Sequence, residues 1–569
     1  MLYVLDYGAG NIQSLANSLT RLGHSFEWVR SPEDLDKADR LIFPGVGSFG
    51  HAMEALARDG YAEPLRRYIA SGRPYMGICI GMQVLFAESE ENPGTKGLGV
   101  IPARVVRFSS QDSEGRRKAV PHMGWSRAVP LEFDQSNAPA VNLDDYYYYV
   151  HSYRVPYAAD AADWAFATTQ YGDERFVSVV QTGNVFATQF HPEKSGAAGL
   201  ALLDAWIRHE QTAHVARQIV RDEPQGYTLP TRRIVACLDV RSNDDGDLVV
   251  TKGESYDVRD SGEGHVRNMG KPVELAERYF KEGADEIAFL NITSFRACPL
   301  RDQPMLELLH RAAATVFVPL TIGGGIRDTV DPDGTPHPAL EVAHAYFRAG
   351  ADKVSIGGDA VFAVEKLLER AAEAGRATHD PAQAPAEAVR GDSPMEQINA
   401  AYGAQAVVVS IDPRRVYCDE VPAEHAMSAA SGPDEREGRE GQPAKWWYRC
   451  TVKGGREDRD IDAVQLARGA ARLGAGELMI NSIDRDGSGR GFDTQLIDLV
   501  RGAVDIPVIA SSGAGCAQHF ADVFATRAAT GGASIEAALA AGIFHRHEVA
   551  ISDAKKAVQD SGLPVRLSH

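Results

Sequence analysis

The segment Gly283-Ala284-Asp285-Glu286-Ile287-Ala288-Phe289-Leu290-Asn291 returns later in the chain as Gly474-Ala475-Gly476-Glu477-Leu478-Met479-Ile480-Asn481. Each copy pairs a turn glycine with an apolar run of the length of a buried parallel strand. Two further pairs recur in the same order. Leu320-Thr321-Ile322-Gly323-Gly324-Gly325 is echoed by Val508-Ile509-Ala510-Ser511-Ser512-Gly513, and Ile234-Val235-Ala236-Cys237-Leu238-Asp239 by Ala406-Val407-Val408-Val409-Ser410-Ile411-Asp412. Chance likeness among β-rich segments does not account for three pairs kept in order. Two similar halves of several βα units build a (β/α)8 barrel with a pseudo-twofold internal repeat.

In such a barrel the chemistry sits at the C-terminal ends of the strands. Asp239 and Asp412 each end an apolar run, and the repeat places them across the mouth from one another. Paired carboxylates suit general acid and general base work when their environments differ. Asp is also a favoured helix N-cap, so either residue alone leaves both readings open; the repeated pair favours catalysis. Glycine clusters follow strands three and seven, Gly323-Gly324-Gly325 and Ser511-Ser512-Gly513-Ala514-Gly515. Each lets backbone N–H groups approach an anion, and each is expected to precede a helix N-terminus. Two such turns at symmetric positions imply a ligand with a phosphate at each end.

Upstream of the barrel, the polar Pro/Gly-bearing stretch 221–230 marks a boundary. The expected division is residues 1–215, a linker over 216–230, and the barrel over 231–569. Over the first 210 residues, short runs at 2–5, 40–43, 74–78 and 185–189 alternate with helical patterns, which predicts a mainly parallel α/β sheet. One of those runs leads into Met76-Gly77-Ile78-Cys79-Ile80-Gly81-Met82-Gln83. Glycines on either side of a lone cysteine describe a sharp strand-to-helix elbow that exposes sulfur at a helix N-terminus, where the thiolate is favoured. A lone cysteine among apolar residues is more often a small buried hydrophobe. Here, however, Gln189-Phe190-His191-Pro192-Glu193 supplies a base and, two residues on, its orienter.

These residues carry a resemblance. Together with Asp6-Tyr7-Gly8-Ala9-Gly10-Asn11, Pro44-Gly45-Val46-Gly47-Ser48-Phe49-Gly50, His122-Met123-Gly124-Trp125 and Tyr149-Val150-His151-Ser152-Tyr153, they make the first 200 or so residues resemble a class I glutamine amidotransferase domain. The resemblance implies that Cys79 attacks the glutamine carboxamide, His191 shuttles the proton and Glu193 holds the imidazole. It further implies that the Gly45-Val46-Gly47 loop lends a backbone N–H to the oxyanion hole.

The second half, from about residue 231, is similar to the cyclase barrel of imidazole glycerol phosphate synthase. The motifs are Arg233-Ile234-Val235-Ala236-Cys237-Leu238-Asp239-Val240, Gly270-Lys271-Pro272-Val273-Glu274, Gly350-Ala351-Asp352-Lys353-Val354-Ser355-Ile356 and Ser482-Ile483-Asp484-Arg485-Asp486-Gly487. A glutaminase on the same chain is the fused arrangement of fungi and plants. The resemblance implies glutamine hydrolysis, passage of ammonia through the barrel, and cyclisation of a bisphosphorylated ribulosyl formimino-aminoimidazole carboxamide nucleotide, a step of histidine biosynthesis. Asp239 and Asp412 are then acid and base in an unassigned order. Lys252 closes over the substrate, Asp486 and Gly487 assist binding, and Gly323, Gly324, Gly325, Gly357, Ser512, Gly513 and Gly542 join the substrate-binding set. Arg233, Glu286, Lys353 and Glu477 match the charged ring that closes the barrel floor in that family; an ordinary ion-pair network is the plainer account, and both hold together. Three positions depart from the pattern: Ser126 stands where Asn is expected, Asn291 where bacterial barrels place Asp, and Gly542 where Ser is usual.

The 569 residues carry a net charge of −19, which argues against a general nucleic-acid or membrane-surface role. Six scattered cysteines without a Cys-x-x-Cys pair read as free thiols in a reducing compartment. With a strand at residues 2–5 and no apolar stretch of membrane-spanning length, the reading is a cytoplasmic enzyme. No metal constellation and no cofactor are implied, and a fused chain needs no partner subunit, so a monomer is expected. Residues 371–394 and 421–445 read as solvated or partly helical insertions without chemistry. A sister isomerase barrel of the same pathway shares the paired acids but has no use for ammonia; a scaffold that merely kept the folds has no use for the intact Cys79, His191, Glu193, Asp239 and Asp412.

Overall fold

The computed structural model describes residues 1–8, 10–131, 145–208, 228–242, 248–250, 271–292, 299–526 and 535–567. Lys252, Cys298 and most of the expected linker lie outside them. An eight-stranded sheet organises the first half in the order Phe26–Val29, Leu2–Leu5, Arg40–Phe43, Tyr75–Ile78, Val185–Thr188, Glu174–Thr182, Ala165–Tyr171, Val129–Pro130. Pairings are parallel as far as Val185–Thr188 and antiparallel beyond it. The predicted parallel character therefore holds only for the half that carries Cys79. In the other half the connections Gly172-Asp173 and Gly183-Asn184 are two residues long, enough for a hairpin and too short for a parallel crossover.

The second half closes into a parallel barrel of eight strands: Arg233–Ser242, Glu286–Asn291, Leu320–Gly323, Lys353–Ile356, Val407–Ile411, Glu477–Asn481, Val508–Ser511 and Ala537–Ala540. Closure comes from Arg233↔Ala537 through Ala236↔Ala540. The repeated segments occupy strands one and five, two and six, three and seven. Alternation along each strand turns every second residue inward. Val235, Cys237, Ala288, Val408, Met479 and Ile509 belong to an apolar cluster separate from the larger core that includes Ile234, Ala236, Leu238 and Ile287 on the alternate positions. The inside of the barrel is thus apolar between a charged floor and a polar mouth.

Residues 371–394 contain the end of helix Gly358–Glu373 and two 3-10 turns before helix Pro394–Tyr402. Residues 421–445 keep the expected solvated, partly helical character in the 3-10 helix Ala423–Ser428 and the exposed stretch 436–443, but a strand lies between them. They supply strand Ala429–Pro433, which pairs with Pro443–Val452, and that strand pairs in turn with Pro413–Cys418 and Glu457–Asp462 in a four-stranded side sheet. Their Glu/Gly/Ser-rich composition hides the strand, because the burial comes from the adjoining Trp446 and Trp447.

The two halves meet at the N-terminal ends of the barrel strands. Asn11 Nδ2 donates to Gly350 O at 2.9 Å and Asp352 Oδ1 at 2.8 Å, and Lys194 Nζ lies 2.7 Å from Asp352 Oδ2. Trp125 Nε1 donates to Asp285 O at 3.2 Å, and Gly196 N to Phe317 O at 3.0 Å. Thr231 N–H reaches Trp125 O at 3.0 Å, so the chain entering the barrel is itself tied to the first half. No helix among the described residues is long and apolar enough to cross a membrane.

Candidate active sites

Cys79 follows strand Tyr75–Ile78 and caps the single-turn helix Ile80–Gln83 with φ 53° and ψ −101°. That left-handed φ is costly for a residue with a Cβ, and such strain persists only where surrounding contacts over-determine it. Here Cys79 N donates to Thr188 O at 2.7 Å, and Met82 N and Gln83 N both donate to Cys79 O at 3.0 Å. The two glycines permit the turn: a Cβ on Gly81 would stand 1.9 Å from Phe43 O, and one on Gly77 2.3 Å from Gly81 O. The elbow is as expected but its sulfur is not exposed. Cys79 is only 7% accessible, enclosed by the sheet ends that position it.

His191 leaves the strand beside that elbow and Glu193 follows in the turn Pro192–Lys194, placing His191 Nδ1 2.7 Å from Glu193 Oε1. Burial lowers the His191 pKa, but the Glu193 carboxylate and then Cys79 more than offset it, holding the imidazole well above its ordinary value. A carboxylate-backed imidazole beside a thiol can take a proton from sulfur and return it to a leaving amine. Gln189 Nε2 also donates to Cys79 Sγ at 3.5 Å, with Gln189 Oε1 accepting from Gln83 Nε2 at 2.9 Å.

The Gly45-Val46-Gly47 loop lies against this site, but with the opposite polarity to that expected. Gly45 O accepts the Ile80 N–H at 3.4 Å, so a carbonyl occupies the donor next to the thiol. Tyr7 Oη donates to Val46 O at 3.0 Å and holds the loop so. Ser48 Oγ donates across to Ala400 O of helix Pro394–Tyr402 at 3.2 Å.

At the barrel floor the four expected charges come together. Arg233 Nη1 meets Glu286 Oε2 at 2.7 Å and Nη2 meets Glu477 Oε1, while Lys353 Nζ lies 2.5 Å from Glu286 Oε1 and 2.6 Å from Glu477 Oε2. All four side chains are buried. Thr321 Oγ1 also donates to Glu286 Oε1 at 2.7 Å, and Met123 Sδ lies 3.6 Å from Lys353 Nζ on the glutaminase side. Burial and then the Glu286 charge raise the Tyr148 pKa.

At the other end, Asp239 lies within strand one and Asp412 between strands Val407–Ile411 and Pro413–Cys418, so neither caps a helix and that reading falls away. Burial, then the neighbouring Asp486, push Asp239 up to about 7. Burial also raises Asp412, opposed by Asn481 Nδ2 donating at 2.7 Å and Ser410 Oγ at 3.2 Å, both to Oδ1. Asp486 and Gly487 occupy the loop after strand six. Gly323, Gly324 and Gly325 end strand three, with φ +89° at Gly324, where a Cβ would stand 2.3 Å from Asn291 O. They do not lead into a helix: a small hairpin, Thr329–Val330 with Pro336–His337, comes first and the helix begins at Ala339. Ser512 and Gly513 after strand seven do lead into helix Ala517–Ala525, as predicted. Gly357 caps helix Gly358–Glu373, and Gly542 opens the short helix Gly542–His545.

A histidine biosynthesis protein model matches residues 233–379 and 382–550, and a glutamine amidotransferase class-I model matches residues 3–207. Imidazole glycerol phosphate synthase hisHF of Emericella nidulans is 49% identical over 99% of this chain and 98% of its own length. The Schizosaccharomyces pombe protein of that name is 50% identical over 97% of both chains, and the chloroplastic one of Arabidopsis thaliana is 49% identical over 99% and 89%. The chain belongs to the imidazole glycerol phosphate synthase family. As a member it is an enzyme with a glutamine amidotransferase domain and a cyclase domain on one chain.

Several residues of this synthase site escaped the sequence reading. Gln189 sits within a quoted motif, yet nothing in its position announced a bond to sulfur. Asn481 closes the second strand repeat, and its amide is what orders Asp412. Glu91 drew no reading from the sequence; in the fold its Oε2 accepts the Phe49 N–H at 2.7 Å, and burial, opposed by that bond, pushes its carboxyl up to about 7.

Proposed function

We propose that the chain hydrolyses glutamine at Cys79 and delivers the ammonia through the barrel to a bisphosphorylated nucleotide held between Asp239 and Asp412. The observation that carries this reading is axial: the thiol site packs on the N-terminal face of the same barrel whose C-terminal mouth holds the two acids, with the charged ring between. Along strand one, Arg233 and Asp239 are about 20 Å apart at ~3.3 Å per residue.

In the first half-reaction, the Cys79 thiolate adds to the carboxamide carbon, His191 protonates the departing nitrogen, and ammonia leaves a thioester. Water deprotonated by His191 then releases glutamate. Glu193 keeps the imidazole oriented, and Glu91 suits the glutamine ammonium, since a cation would relieve its buried carboxylate. For Gly45-Val46-Gly47 to stabilise the tetrahedral oxyanion, the Gly45–Val46 peptide must turn over, because Gly45 O now fills the Ile80 N–H. In the second half-reaction, ammonia attacks the nucleotide, and cyclisation yields imidazole glycerol phosphate and aminoimidazole carboxamide ribotide. The glycine turns Gly323–Gly325 and Ser512–Gly513, with Gly357 and Gly542, bind the two phosphates; Lys252, Asp486 and Gly487 complete the substrate site.

Ammonium has no lone pair, so the route must stay dry, and the apolar interior supports that. Arg233, Glu286, Lys353 and Glu477 then act as its gate. Carrying both sites on one chain supplies the second at high effective concentration, which favours a monomer; the reading remains a cytoplasmic enzyme.

The test supplies glutamine or ammonium salts together with the nucleotide. Cys79→Ala abolishes glutamate release yet makes product from ammonium, whereas Asp412→Asn loses product from either source. Product from glutamine in Cys79→Ala, or undiminished cyclisation in Asp412→Asn, overturns the assignments.

A further inference from the structure

Residues 421–445 enter neither half-reaction, yet their strands build a turn that reaches the barrel mouth. Glu435, on that turn, has Oε1 2.6 Å from Arg485 Nη2 and 3.1 Å from Arg415 Nη1, and Oε2 3.1 Å from Arg490 Nη1. Arg485 and Arg490 flank Asp486-Gly487 on the loop between strand six and helix Thr494–Ala503. Arg415 belongs to the side sheet and is anchored on its own account. Its Nη2 lies 2.7 Å from Asp493 Oδ2, its backbone N–H donates to Asp484 Oδ2 at 2.8 Å, and its guanidinium lies over Trp446 at 4.5 Å. Tyr448 Oη donates to the other oxygen of Asp493 at 3.0 Å. One carboxylate therefore ties a rigid sheet to both ends of the loop that carries Asp486.

Isolated surface ion pairs hold little. Here the Arg415 and Glu435 side chains are 3% and 26% exposed and three guanidinium groups converge on one carboxylate, so the contact is a network rather than a lone pair. The loop it fixes is the one that matters for the mouth, because it leaves strand six at Asn481, whose amide donates to Asp412 Oδ1 at 2.7 Å, and it carries Asp486, whose charge helps raise the Asp239 pKa. Backbone contacts extend the same join: Ile483 N donates to Pro413 O at 3.1 Å, and Thr451 N to Asp412 O at 3.1 Å.

We propose that Glu435 is a positioning residue for the cyclisation: through Arg415, Arg485 and Arg490 it fixes the loop 482–491, which carries Asp486 and Gly487, beside the acid pair at the barrel mouth. The 421–445 segment thereby acquires a function, that of a brace on the cyclase mouth. The inference rests on the assignment of Asp239 to the cyclisation.

The experiment measures ammonium-dependent cyclisation by the full chain across pH for wild type, Glu435→Gln, Glu435→Asp, Asp486→Asn and Asp239→Asn. Glu435→Gln is expected to lower kcat about tenfold, the scale of a small misplacement near the reacting centre. The Asp486 charge helps raise the Asp239 pKa, so a loop less firmly held lets the limb of the profile that Asp239 sets move to lower pH. Asp486→Asn moves the same limb the same way, Glu435→Asp recovers part of the rate, and nucleotide-free glutaminase stays as in wild type. A Glu435→Gln profile that coincides with wild type overturns the proposal. So does a loss of rate uniform across pH, which is the signature of mere structural support. If Asp239→Asn cyclises normally, the underlying assignment fails instead; if it is dead while Glu435→Gln matches wild type, the positioning role alone fails.

Discussion

Replacing Lys353 by Met takes one cation from a floor in which each carboxylate is shared between two. Lys353 Nζ contacts Glu286 Oε1 at 2.5 Å and Glu477 Oε2 at 2.6 Å, and Arg233 reaches both acids from the other side. Methionine fills a similar volume, so the loss is electrostatic: Arg233 is left with two buried carboxylates. Removing one partner from a buried pair costs about 3–5 kcal/mol, which for a unit of this size lowers the melting temperature by roughly 5–10 °C. The sign with pH follows from Glu286. Burial raises its pKa, but Lys353 and then Arg233 more than offset that and hold it below the ordinary value. The wild-type contribution is therefore present above the ordinary glutamate range and is lost as pH falls through the depressed folded value. In Lys353→Met a carboxylate takes up a proton more readily, so the deficit is largest near neutrality and narrows toward acid. Thermal or guanidinium unfolding at about pH 7.5 and about pH 5.5 reads this directly. The gate reading adds a second observable: ammonium-dependent cyclisation persists, while glutamate released per product formed rises above one. A deficit under about 1 kcal/mol, or one identical at both pH values, refutes the electrostatic reasoning; an unchanged glutamate-to-product ratio refutes the gate.

Asn481→Leu removes the amide that lowers the Asp412 pKa, so the limb of the cyclisation profile set by Asp412 moves to higher pH, while glutamate release by the nucleotide-free chain is unaltered. A limb that stays in place or moves down refutes that electrostatic account. Gly81→Ala forces a Cβ to within 1.9 Å of Phe43 O, a backbone atom that cannot step aside. It is expected to unfold the elbow at a cost of about 3 kcal/mol or more and to abolish glutaminase activity; a soluble variant with a wild-type melting temperature and normal glutamate release contradicts it.

What could be read in advance followed from local chemistry repeated along the chain. Unbroken apolar runs ending in Asp239 and Asp412 dictate inner barrel strands, and glycines around Cys79 dictate a turn that admits no Cβ, so barrel, repeat, elbow and charged ring all appear where expected. The antiparallel half of the first sheet follows from two-residue connections, a short-range cue outweighed in the reading by the α/β alternation before it. The strand Ala429–Pro433 is held by cross-strand neighbours that lie outside its own composition. The helix expected after Gly325 gives way to a hairpin, because a glycine turn can lead into either. Peptide orientation at Gly45 and the burial of Cys79 depend on tertiary neighbours, Ile80 and Tyr7 on one side and the sheet ends on the other, and no single-residue property encodes them.

Stability alone does not account for a charged floor. Four buried ions pay a desolvation cost that well-packed apolar side chains of equal volume avoid, and such replacements are often neutral or stabilising. The ring is also imperfectly closed on itself: Arg233 Nε is buried without a hydrogen-bond partner. A merely structural plug is better made from leucines, which cannot be opened by shifting one side chain. Charges held by direct contacts can be, since swinging Lys353 away leaves Glu286 with Arg233 and Thr321, and Glu477 with Arg233, each still satisfied in part. On the gate reading proposed above, that movement opens the floor, at the several-kcal/mol cost of parting a buried pair. A conduit for neutral ammonia on that reading needs a floor that one side chain can open, and an apolar plug offers none.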